Sequence, residues 1–263
     1  MEPASPAELA DLSGRVAVVT GASRGIGKGL ALGLARAGAA VVVAARSTEQ
    51  APGGLPGTIQ ATAAEIEAAG GQALAVRCDV SCPRDVEALV AATLERFSRL
   101  DVLVNNAMSP ARGAFEEVSL SMWDEAMSTN VTSLFTTTRE VLEPMRTAGG
   151  GSIINISSGA ADHRSTPFLP PGFCLYAVAK AALERFSTVL APELGRFGIA
   201  INALRPGAVK TELAVRELGE DHDWAGWSEP EAVVPSVVWL ARQRGNGFSG
   251  RVVDSTQFGV SWP

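Results

Sequence analysis

Short, mostly uncharged runs rich in Val and Ile alternate with helix-like segments along the whole of this 263-residue sequence. Runs of this kind are typical of strands that are buried on both faces of a parallel sheet. Strands are predicted at 16–20, 40–45, 73–78, 102–104, 152–157, 199–203 and 251–254. This alternation predicts an α/β fold in which a doubly wound, seven-stranded parallel sheet carries helices on both faces.

The segments between the strands have the spacing of amphipathic helices. In 83–97, for example, Val86, Leu89 and Val90 recur at helical intervals with charged residues between them. The predicted helices are 25–37, 58–69, 83–97, 121–145 and 176–197, the last kinked at Pro192. Because the sequence has no internal repeat and no long linker, residues 14–263 are predicted to form one domain, after a mobile lead-in at 1–13.

Three longer irregular segments interrupt the alternation, at 47–57, 159–175 and 208–229. Loops of this length inside a compact domain are usually functional or mobile. The second and third carry exposed-looking aromatic residues, including Phe168, Phe173, Trp224 and Trp227. We expect these two loops to flank a substrate site, although the aromatic side chains could instead pack on the protein's own core or on a second subunit.

Composition excludes several classes of function. The net charge is −6 and no basic run is present, so a dedicated nucleic-acid binder is not expected. The longest wholly apolar run, 37–45, is too short for a bilayer core, which needs about 20 residues. With no basic and apolar leader, the expected compartment is the cytoplasm. Three cysteines and two histidines provide neither a disulfide framework nor a recognisable metal site.

A glycine-rich turn follows the first predicted strand, with Gly21, Gly25 and Gly27 at Gly-x₃-Gly-x-Gly spacing. Glycine permits a tight turn and lets the backbone approach a pyrophosphate closely. The N-terminus of the helix that follows offers N–H groups and a positive dipole end to the same phosphates. With a strand before it and a helix after it, the turn predicts a dinucleotide-binding site.

The residue that follows the second strand indicates which dinucleotide is bound. An acidic residue there would bind the ribose hydroxyls of NAD, but this sequence has Arg46, and Arg24 lies within the glycine-rich turn. Two guanidinium groups near the adenosine ribose suit a 2′-phosphate. The sequence therefore favours NADP, unless both arginines are ordinary surface charges.

Lys180 lies four positions after Tyr176, which places the two residues on one face of a predicted helix. A nearby ammonium group stabilises a phenolate and lowers its pKa, which would suit the tyrosine to proton transfer near neutral pH. Tyr-x₃-Lys also occurs by chance as a surface pair, so its meaning depends on the rest of the sequence.

In that context the sequence resembles the short-chain dehydrogenase/reductase family from about residue 14 to residue 254. The motifs that carry the resemblance are 20–27, Asp79, 105–107, Asn130, 153–158, the Tyr/Lys pair and 205–207. The region from 55 to 71 bears a weaker resemblance to the hydroxysteroid dehydrogenase-like branch. Membership implies a single-domain Rossmann fold and an NADP(H)-dependent oxidoreductase. It also implies a carbonyl or secondary-alcohol substrate and a homodimer or homotetramer.

The resemblance also implies roles for individual residues. Tyr176 matches the proton donor and acceptor, and Lys180 matches the residue that lowers the tyrosine pKa and binds the nicotinamide ribose. Asn130 matches the residue that holds a water in the proton relay. Ser157 and Ser158 both lie where the substrate-polarising serine sits, and the family pattern favours Ser158.

The cofactor contacts implied by the resemblance come from the glycine-rich turn, the adenine border, the end of the fourth strand, the Tyr/Lys pair and the nicotinamide segment. They are Gly21, Ser23, Arg24, Gly25, Ile26, Gly27, Arg46, Asp79, Val80, Asn106, Ala107, Tyr176, Lys180, Pro206, Gly207, Val209 and Thr211.

Two departures from the family pattern and two alternative functions accompany this interpretation. Met108 replaces the usual glycine, and the segment between Ser158 and Tyr176 is about five residues longer than usual.

A non-catalytic dinucleotide-sensing protein on the same fold would be expected to lack Tyr, Lys or Ser, all of which are present. An extended-branch epimerase or dehydratase would need a longer chain and a different glycine spacing.

Overall fold

A computed structural model of the protein describes residues 11–48 and 54–263, and for 166–168 it describes the backbone course alone. Most of the predicted lead-in at 1–13 and the middle of the 47–57 loop therefore lie outside the described residues. The mobility of the lead-in and its boundary at residue 14 stay predictions.

Seven parallel strands form one sheet in the order β3-β2-β1-β4-β5-β6-β7. The strands are β1 Val16–Thr20, β2 Ala40–Ala45, β3 Ala73–Arg77, β4 Val102–Asn105, β5 Gly151–Ile156, β6 Ile199–Arg205 and β7 Val252–Asp254. All seven predicted strands are present, and the boundaries differ by at most two residues. The α/β class and the seven-stranded parallel sheet are confirmed.

Helices cover both faces of the sheet. They are α1 Gly25–Arg36, α2 Ile59–Ala68, α3 Pro83–Phe97, α4 Leu120–Met127, α5 Ser133–Thr147, α6 Cys174–Gly195, α7 Glu212–Leu218 and α8 Val234–Ala241. One apolar core lies between the sheet and α1, α2 and α8, and the other between the sheet and α3, α5 and α6. Alternate β1 residues enter opposite cores, Ala17 the first and Val18 the second, because successive strand side chains point to opposite faces.

The order of the strands determines where a ligand can bind. From β1 the chain moves outward through β2 and β3, then returns to place β4 on the other side of β1. At such a reversal the two neighbouring crossovers lie on opposite faces, which leaves a crevice at the carboxyl ends of β1 and β4.

The structure departs from the sequence prediction in several helical segments. The single helix expected over 121–145 is α4 and α5, joined by one wide π turn at Ser128–Thr132. The 208–229 segment is not wholly irregular because it contains α7. Helix α8 was not predicted, since its all-round apolar residues lack an amphipathic stripe.

Among the described residues, no helix combines the length and apolar character that crossing a bilayer requires.

Candidate active site

The crevice at the carboxyl ends of the strands collects most of the residues predicted from the sequence. Its volume is about 360 Å³. Of the predicted residues, those that line it are Gly21, Ser23, Arg24, Gly25, Ile26, Gly27, Arg46, Asp79, Val80, Asn106, Ala107, Tyr176, Lys180, Pro206 and Thr211. Gly207, Val209, Asn130 and Ser158 are described but do not line it. Val209 is instead buried in the core beside α1 and α8, because it pairs with Ser228 across a short bridge.

The glycine-rich turn packs directly on the end of β4. Gly21 has a φ of +65°, and a Cβ there would lie 2.8 Å from the Cα of Ala107. A Cβ on Gly27 would overlap the carbonyl oxygen of Gly21 and the side-chain amide of Asn106. Side chains larger than hydrogen are therefore excluded at both positions, and the backbone itself forms the floor of the crevice.

Hydrogen bonds join this turn to β4. The side-chain nitrogen of Asn106, Nδ2, donates to the carbonyl oxygen of Thr20 at 2.9 Å and to that of Gly21 at 3.2 Å. In return, Thr20 Oγ1 accepts from the backbone N–H groups of Asn106 (3.0 Å) and Ala107 (3.1 Å). Asn106 and Ala107 thus hold the turn in place.

The N-terminus of α1 opens into the crevice. Its N-cap residue, Arg24, has extended backbone and makes no side-chain hydrogen bond to the first helical turn. Uncapped N–H groups at a helix N-terminus, together with the helix dipole, form an anion site. The glycine floor and this helix end fit the pyrophosphate of a dinucleotide.

The two arginines expected at the adenosine end have different environments. Arg24 donates to Ser47 Oγ at 3.0 Å and to the carbonyl oxygens of Pro56 (2.9 Å) and Gly57 (3.1 Å). It therefore ties the described end of the 47–57 loop to the glycine-rich turn. Arg46 is exposed, with its guanidinium 3.9 Å from the Asp79 carboxylate. Both arginines line the crevice, but the loop already engages Arg24. That the two guanidinium groups bind a 2′-phosphate stays a prediction.

Tyr176 and Lys180 lie one turn apart in α6, as predicted. Lys180 is buried, and its Nζ donates to the carbonyl oxygen of Ile156 at 2.7 Å. Burial lowers the pKa of this ammonium group to about 8. Burial also raises the pKa of the Tyr176 phenol, against the opposing effects of a hydrogen bond with Ser158 and the charge of Arg112. Lys180 Nζ lies 5.6 Å from the centroid of the Tyr176 ring, and its effect on the tyrosine pKa stays a prediction.

The structure distinguishes the two adjacent serines. Ser157 Oγ is buried and donates to Glu184 Oε1 at 2.7 Å. Ser158 forms the hydrogen bond with Tyr176 and accepts from the Ala160 N–H at 3.2 Å. Ser157 lines the crevice, but its hydroxyl is directed to Glu184, so the hydroxyl that bonds the phenol is that of Ser158.

Asn130 lies in the π turn between α4 and α5. Its side-chain oxygen accepts from the Ser109 N–H at 2.9 Å, and its side-chain nitrogen donates to the Ser109 carbonyl at 3.2 Å. The side chain is buried and is held by these two bonds to Ser109. Single π turns within α-helices occur frequently at functional sites.

Arg112 contributes to the site but was not identified from the sequence. Its guanidinium lies over the rings of Phe173 (4.2 Å to the centroid) and Tyr176 (5.6 Å), and pairs with Glu217 of α7 at 2.8 Å. It therefore joins the β4–α4 loop to α7 across the mouth of the crevice. A lone arginine in an irregular loop has no periodicity or motif that could have identified it.

The aromatic residues of the 208–229 segment are not where the sequence analysis expected them. Trp224 and Trp227 pack edge-on against each other, with centroids 5.1 Å apart, and both contact His222. Within the described chain, the crevice lining includes Leu213 from this segment but neither tryptophan. The aromatic residue beside the phenol is Phe173, whose ring packs edge-on against that of Tyr176, with the centroids 6.1 Å apart. The side chain of Phe168 lies outside what the structure describes.

The buried lysine gives stability a specific pH dependence. Between pH about 8 and about 10.5, Lys180 binds a proton in the unfolded chain but not in the folded one. The free energy of unfolding should therefore rise with pH across this window, by on the order of 3 kcal/mol at most. Urea unfolding at several pH values should show this rise in wild type relative to Lys180→Met. If the free energy of unfolding changes with pH in the same way in both proteins, the lowered pKa of Lys180 is contradicted.

Comparison with known proteins agrees with this geometry. Residues 15–221 match the short chain dehydrogenase family. A short chain dehydrogenase/reductase, astE, of Aspergillus oryzae is 36% identical over 92% of this chain and 93% of its own length. A gluconate 5-dehydrogenase of Gluconobacter oxydans is 35% identical over 94% of each chain. A 3-oxoacyl-[acyl-carrier-protein] reductase of Synechocystis is 36% identical over 88% and 90%.

Solved structures are similar over almost the whole chain. A hydroxysteroid dehydrogenase from Escherichia coli has a TM-score of 0.79 and 28% identity, covering 93% of this chain and 96% of its own. A candidate NAD(P)-dependent gluconate 5-dehydrogenase from Beutenbergia cavernae, with NADP bound, has a TM-score of 0.81, 33% identity and the same coverage. The family match, the sheet order and the glycine-lined crevice agree, and the chain belongs to the short-chain dehydrogenase/reductase family of oxidoreductases, with the single-domain Rossmann fold.

Proposed function

We propose that this protein is an NADP(H)-dependent oxidoreductase that transfers a hydride between the nicotinamide and a carbonyl or secondary alcohol, with Tyr176 as the general acid/base. The observation that carries the proposal is that Tyr176 and Lys180 line the same crevice as the glycine-rich turn, with the Ser158 hydroxyl hydrogen-bonded to Tyr176. A proton-transfer group and an anion-binding turn in one crevice are the two parts that such a reaction needs.

The cofactor supplies the hydride. Gly21, Gly25 and Gly27 with the N-terminus of α1 would hold its pyrophosphate. Asp79 and Val80 would border the adenine, and Asn106 and Ala107 would line the crevice beside it. The segment with Pro206, Gly207, Val209 and Thr211 would meet the nicotinamide, Gly207 and Val209 by shaping its backbone rather than by lining the crevice.

The protein's own groups would move the proton. In reduction, the Tyr176 hydroxyl gives its proton to the substrate oxygen while the Ser158 hydroxyl steadies that oxygen by a hydrogen bond. Lys180 orients the ribose and supports the charge that develops on the phenolate. Asn130 would take part through its backbone carbonyl and a water, because its side chain is engaged by Ser109.

Replacing Tyr176 by Phe tests the assignment. The variant removes one oxygen and should lower kcat by at least about 10²-fold, while the melting temperature and the Kd for NADPH change little. The readouts are NADPH oxidation with ketone substrates, thermal unfolding and NADPH fluorescence titration.

Cys174→Ser is a suitable control for this variant, because Cys174 is exposed at the first turn of the same helix. It should keep the turnover of the wild type. Turnover of Tyr176→Phe close to that of wild type would refute the role of Tyr176 and with it the proposed chemistry.

The choice of NADP over NAD is supported by Arg46. It is the exposed guanidinium at the end of β2, where no acidic residue is present to bind ribose hydroxyls. Arg24 would contribute less than Arg46, because three of its hydrogen bonds go to the loop. The related structure with NADP bound is consistent with this choice.

Arg46→Asp should shift the ratio of kcat/KM from NADPH toward NADH by roughly 10-fold or more, because aspartate repels a 2′-phosphate and accepts from ribose hydroxyls. Arg36→Asp is the matched control, since Arg36 is exposed at the far end of α1. It should leave the ratio unchanged. A wild-type enzyme that already prefers NADH would refute the assignment to Arg46.

For the substrate, we propose a medium or bulky hydrophobic carbonyl or secondary alcohol. Support comes from Met108, Pro110 and Leu213, which line the crevice, and from the Phe173 ring beside Tyr176. The relatives' names span sugar acids, acyl thioesters and steroids, so they do not select one compound. The alternative, a non-catalytic dinucleotide sensor, is less well supported because Tyr176 and Lys180 line the crevice and Ser158 is hydrogen-bonded to Tyr176. Turnover across ketones of graded size and charge distinguishes these possibilities.

We also propose a homodimer or homotetramer. Apolar side chains are exposed along α5 and α6, among them Phe135 at 55% and Val189 at 50%. Burial of such residues against a second copy would remove apolar surface from water. Light scattering at micromolar concentration should give at least twice 27.3 kDa, and a monomer would refute the proposal. A cytoplasmic location, without nucleic-acid or membrane partners, stays a prediction from composition.

A further inference from the structure

A buried ion-pair network lies directly behind the proposed catalytic groups. The Arg205 guanidinium binds Glu184 through two bonds, Nε to Oε1 at 2.7 Å and Nη2 to Oε2 at 2.8 Å. Its third nitrogen, Nη1, donates to Asp162 Oδ2 at 3.1 Å. Glu184 Oε1 also accepts the hydrogen bond from Ser157 Oγ. All four side chains are less than one-fifth exposed.

Each member of this network belongs to a segment that carries a proposed site residue. Ser157 is bonded to Ser158, and Asp162 ends the short turn that follows it. Glu184 lies one helical turn beyond Lys180 and two beyond Tyr176, on the same face of α6. Arg205 is the last residue of β6 and precedes Pro206, which lines the crevice.

The carboxylates and the guanidinium of the network do not themselves face the crevice. Glu184, Asp162 and Arg205 are all described, and none lines it. They can influence the chemistry without contacting substrate or cofactor, by holding the residues that line the crevice. The network brings together three segments that are far apart in the chain: the end of β5, the middle of α6 and the end of β6.

Stability alone does not account for such a pair. The free energy needed to remove two charges from water offsets much of their mutual attraction. Replacing a buried ion pair by apolar residues is therefore often neutral or stabilising. What a bidentate guanidinium–carboxylate pair does provide is a defined distance and a common plane. Those are the properties needed to hold two catalytic segments in register.

We propose that Glu184 and Arg205 are positioning residues of the active site. By fixing Ser157, they direct the adjacent Ser158 hydroxyl toward Tyr176. By anchoring α6 to the end of β6, they set the distance between the Tyr176 phenol and the nicotinamide segment. This inference rests on the proposed function, because it concerns the geometry of the same proton transfer.

Glu184→Gln and Arg205→Lys test the proposal. Each keeps the approximate size of the side chain but removes the two-point contact, the first by removing the charge and the second by removing the guanidinium fork. A displacement of about 1 Å at a reacting group lowers turnover by roughly 10²-fold. We therefore expect kcat to fall by about 10- to 100-fold in both variants, with KM and the Kd for NADPH within about 3-fold of wild type.

The chain supplies a matched control pair. Arg99 and Asp101 form another bidentate contact, Nε to Oδ2 at 2.8 Å and Nη2 to Oδ1 at 2.7 Å, with Asp101 fully buried. This pair lies at the amino end of β4, on the opposite edge of the sheet from the crevice. Asp101→Asn should lower the melting temperature as Glu184→Gln does, yet leave the kcat of the folded enzyme within about 2-fold.

Coupling between the members provides a second measurement. Ser157→Ala removes the hydrogen bond that links the network to the end of β5 and keeps a small side chain where Ser157 lines the crevice, so it should lower kcat by about 5- to 10-fold. The losses in Ser157→Ala and Glu184→Gln should be less than additive in the double variant, because both act through one contact. If Glu184→Gln fails to fold, Ser157→Ala and Arg205→Lys alone decide the matter.

The outcomes separate this inference from the proposed function. Unchanged kcat in Arg205→Lys and Ser157→Ala would overturn the positioning role. The role would also be overturned if the loss of activity in each variant equals its unfolded fraction and Asp101→Asn loses as much activity. Either result together with an inactive Tyr176→Phe would refute the positioning role alone. An active Tyr176→Phe would refute the proposed chemistry instead.

Discussion

The backbone of residues 21–27 lies in direct contact with the end of β4, and the crevice depends on that contact. It places the N-terminus of α1 next to the strand on the other side of the sheet's topological reversal. Hydrogen at Gly21 and Gly27 is the only substituent that the distances to Ala107 and Asn106 allow. The mutual hydrogen bonds of Thr20 and Asn106 then make the turn and the strand end one rigid unit. The N-terminus of α1, proposed to bind phosphate, and the helix that carries Tyr176 can face the same crevice because of this packing.

Polar groups at the other end of the crevice are buried, which costs desolvation free energy that apolar side chains would not cost. The Lys180 ammonium group donates to a backbone carbonyl rather than to a carboxylate, and its lowered pKa reflects that environment. The Tyr176 phenol has a raised pKa for the same reason. Perturbed groups of this kind, gathered in a crevice, are typical of functional sites. By contrast, the Glu184–Arg205 pair behind them satisfies its own charges, and hydrogen bonding to Glu184 raises the pKa of Arg205.

Polar contacts help to hold two walls of the crevice, α7 and the described end of the 47–57 loop. None of the seven residues of α7 is buried, and its described ties include the Arg112–Glu217 pair and the Thr211 cap at Ala214. Arg24 similarly holds the described end of the 47–57 loop through three hydrogen bonds. Segments with little buried apolar surface open at low free-energy cost. Helix α7 is therefore expected to open at a lower free-energy cost than the buried floor of the crevice.

Sequence by itself determined the features that are encoded within a few neighbouring residues. The seven strands, the glycine-rich turn and the Tyr176–Lys180 spacing all follow from local periodicity or from a short motif, and all were predicted. Tertiary structure alone decided which of Ser157 and Ser158 faces the phenol, that Arg24 is engaged by a loop, and that Trp224 packs on Trp227 away from the crevice. It also decided the contacts of Arg112 with Glu217 and of Arg205 with Glu184, which are 105 and 21 residues apart. The physical reason is that a strand or a turn is specified by its own backbone preferences. The partner of a long side chain depends instead on which distant segments the packed sheet brings within about 3 Å of it.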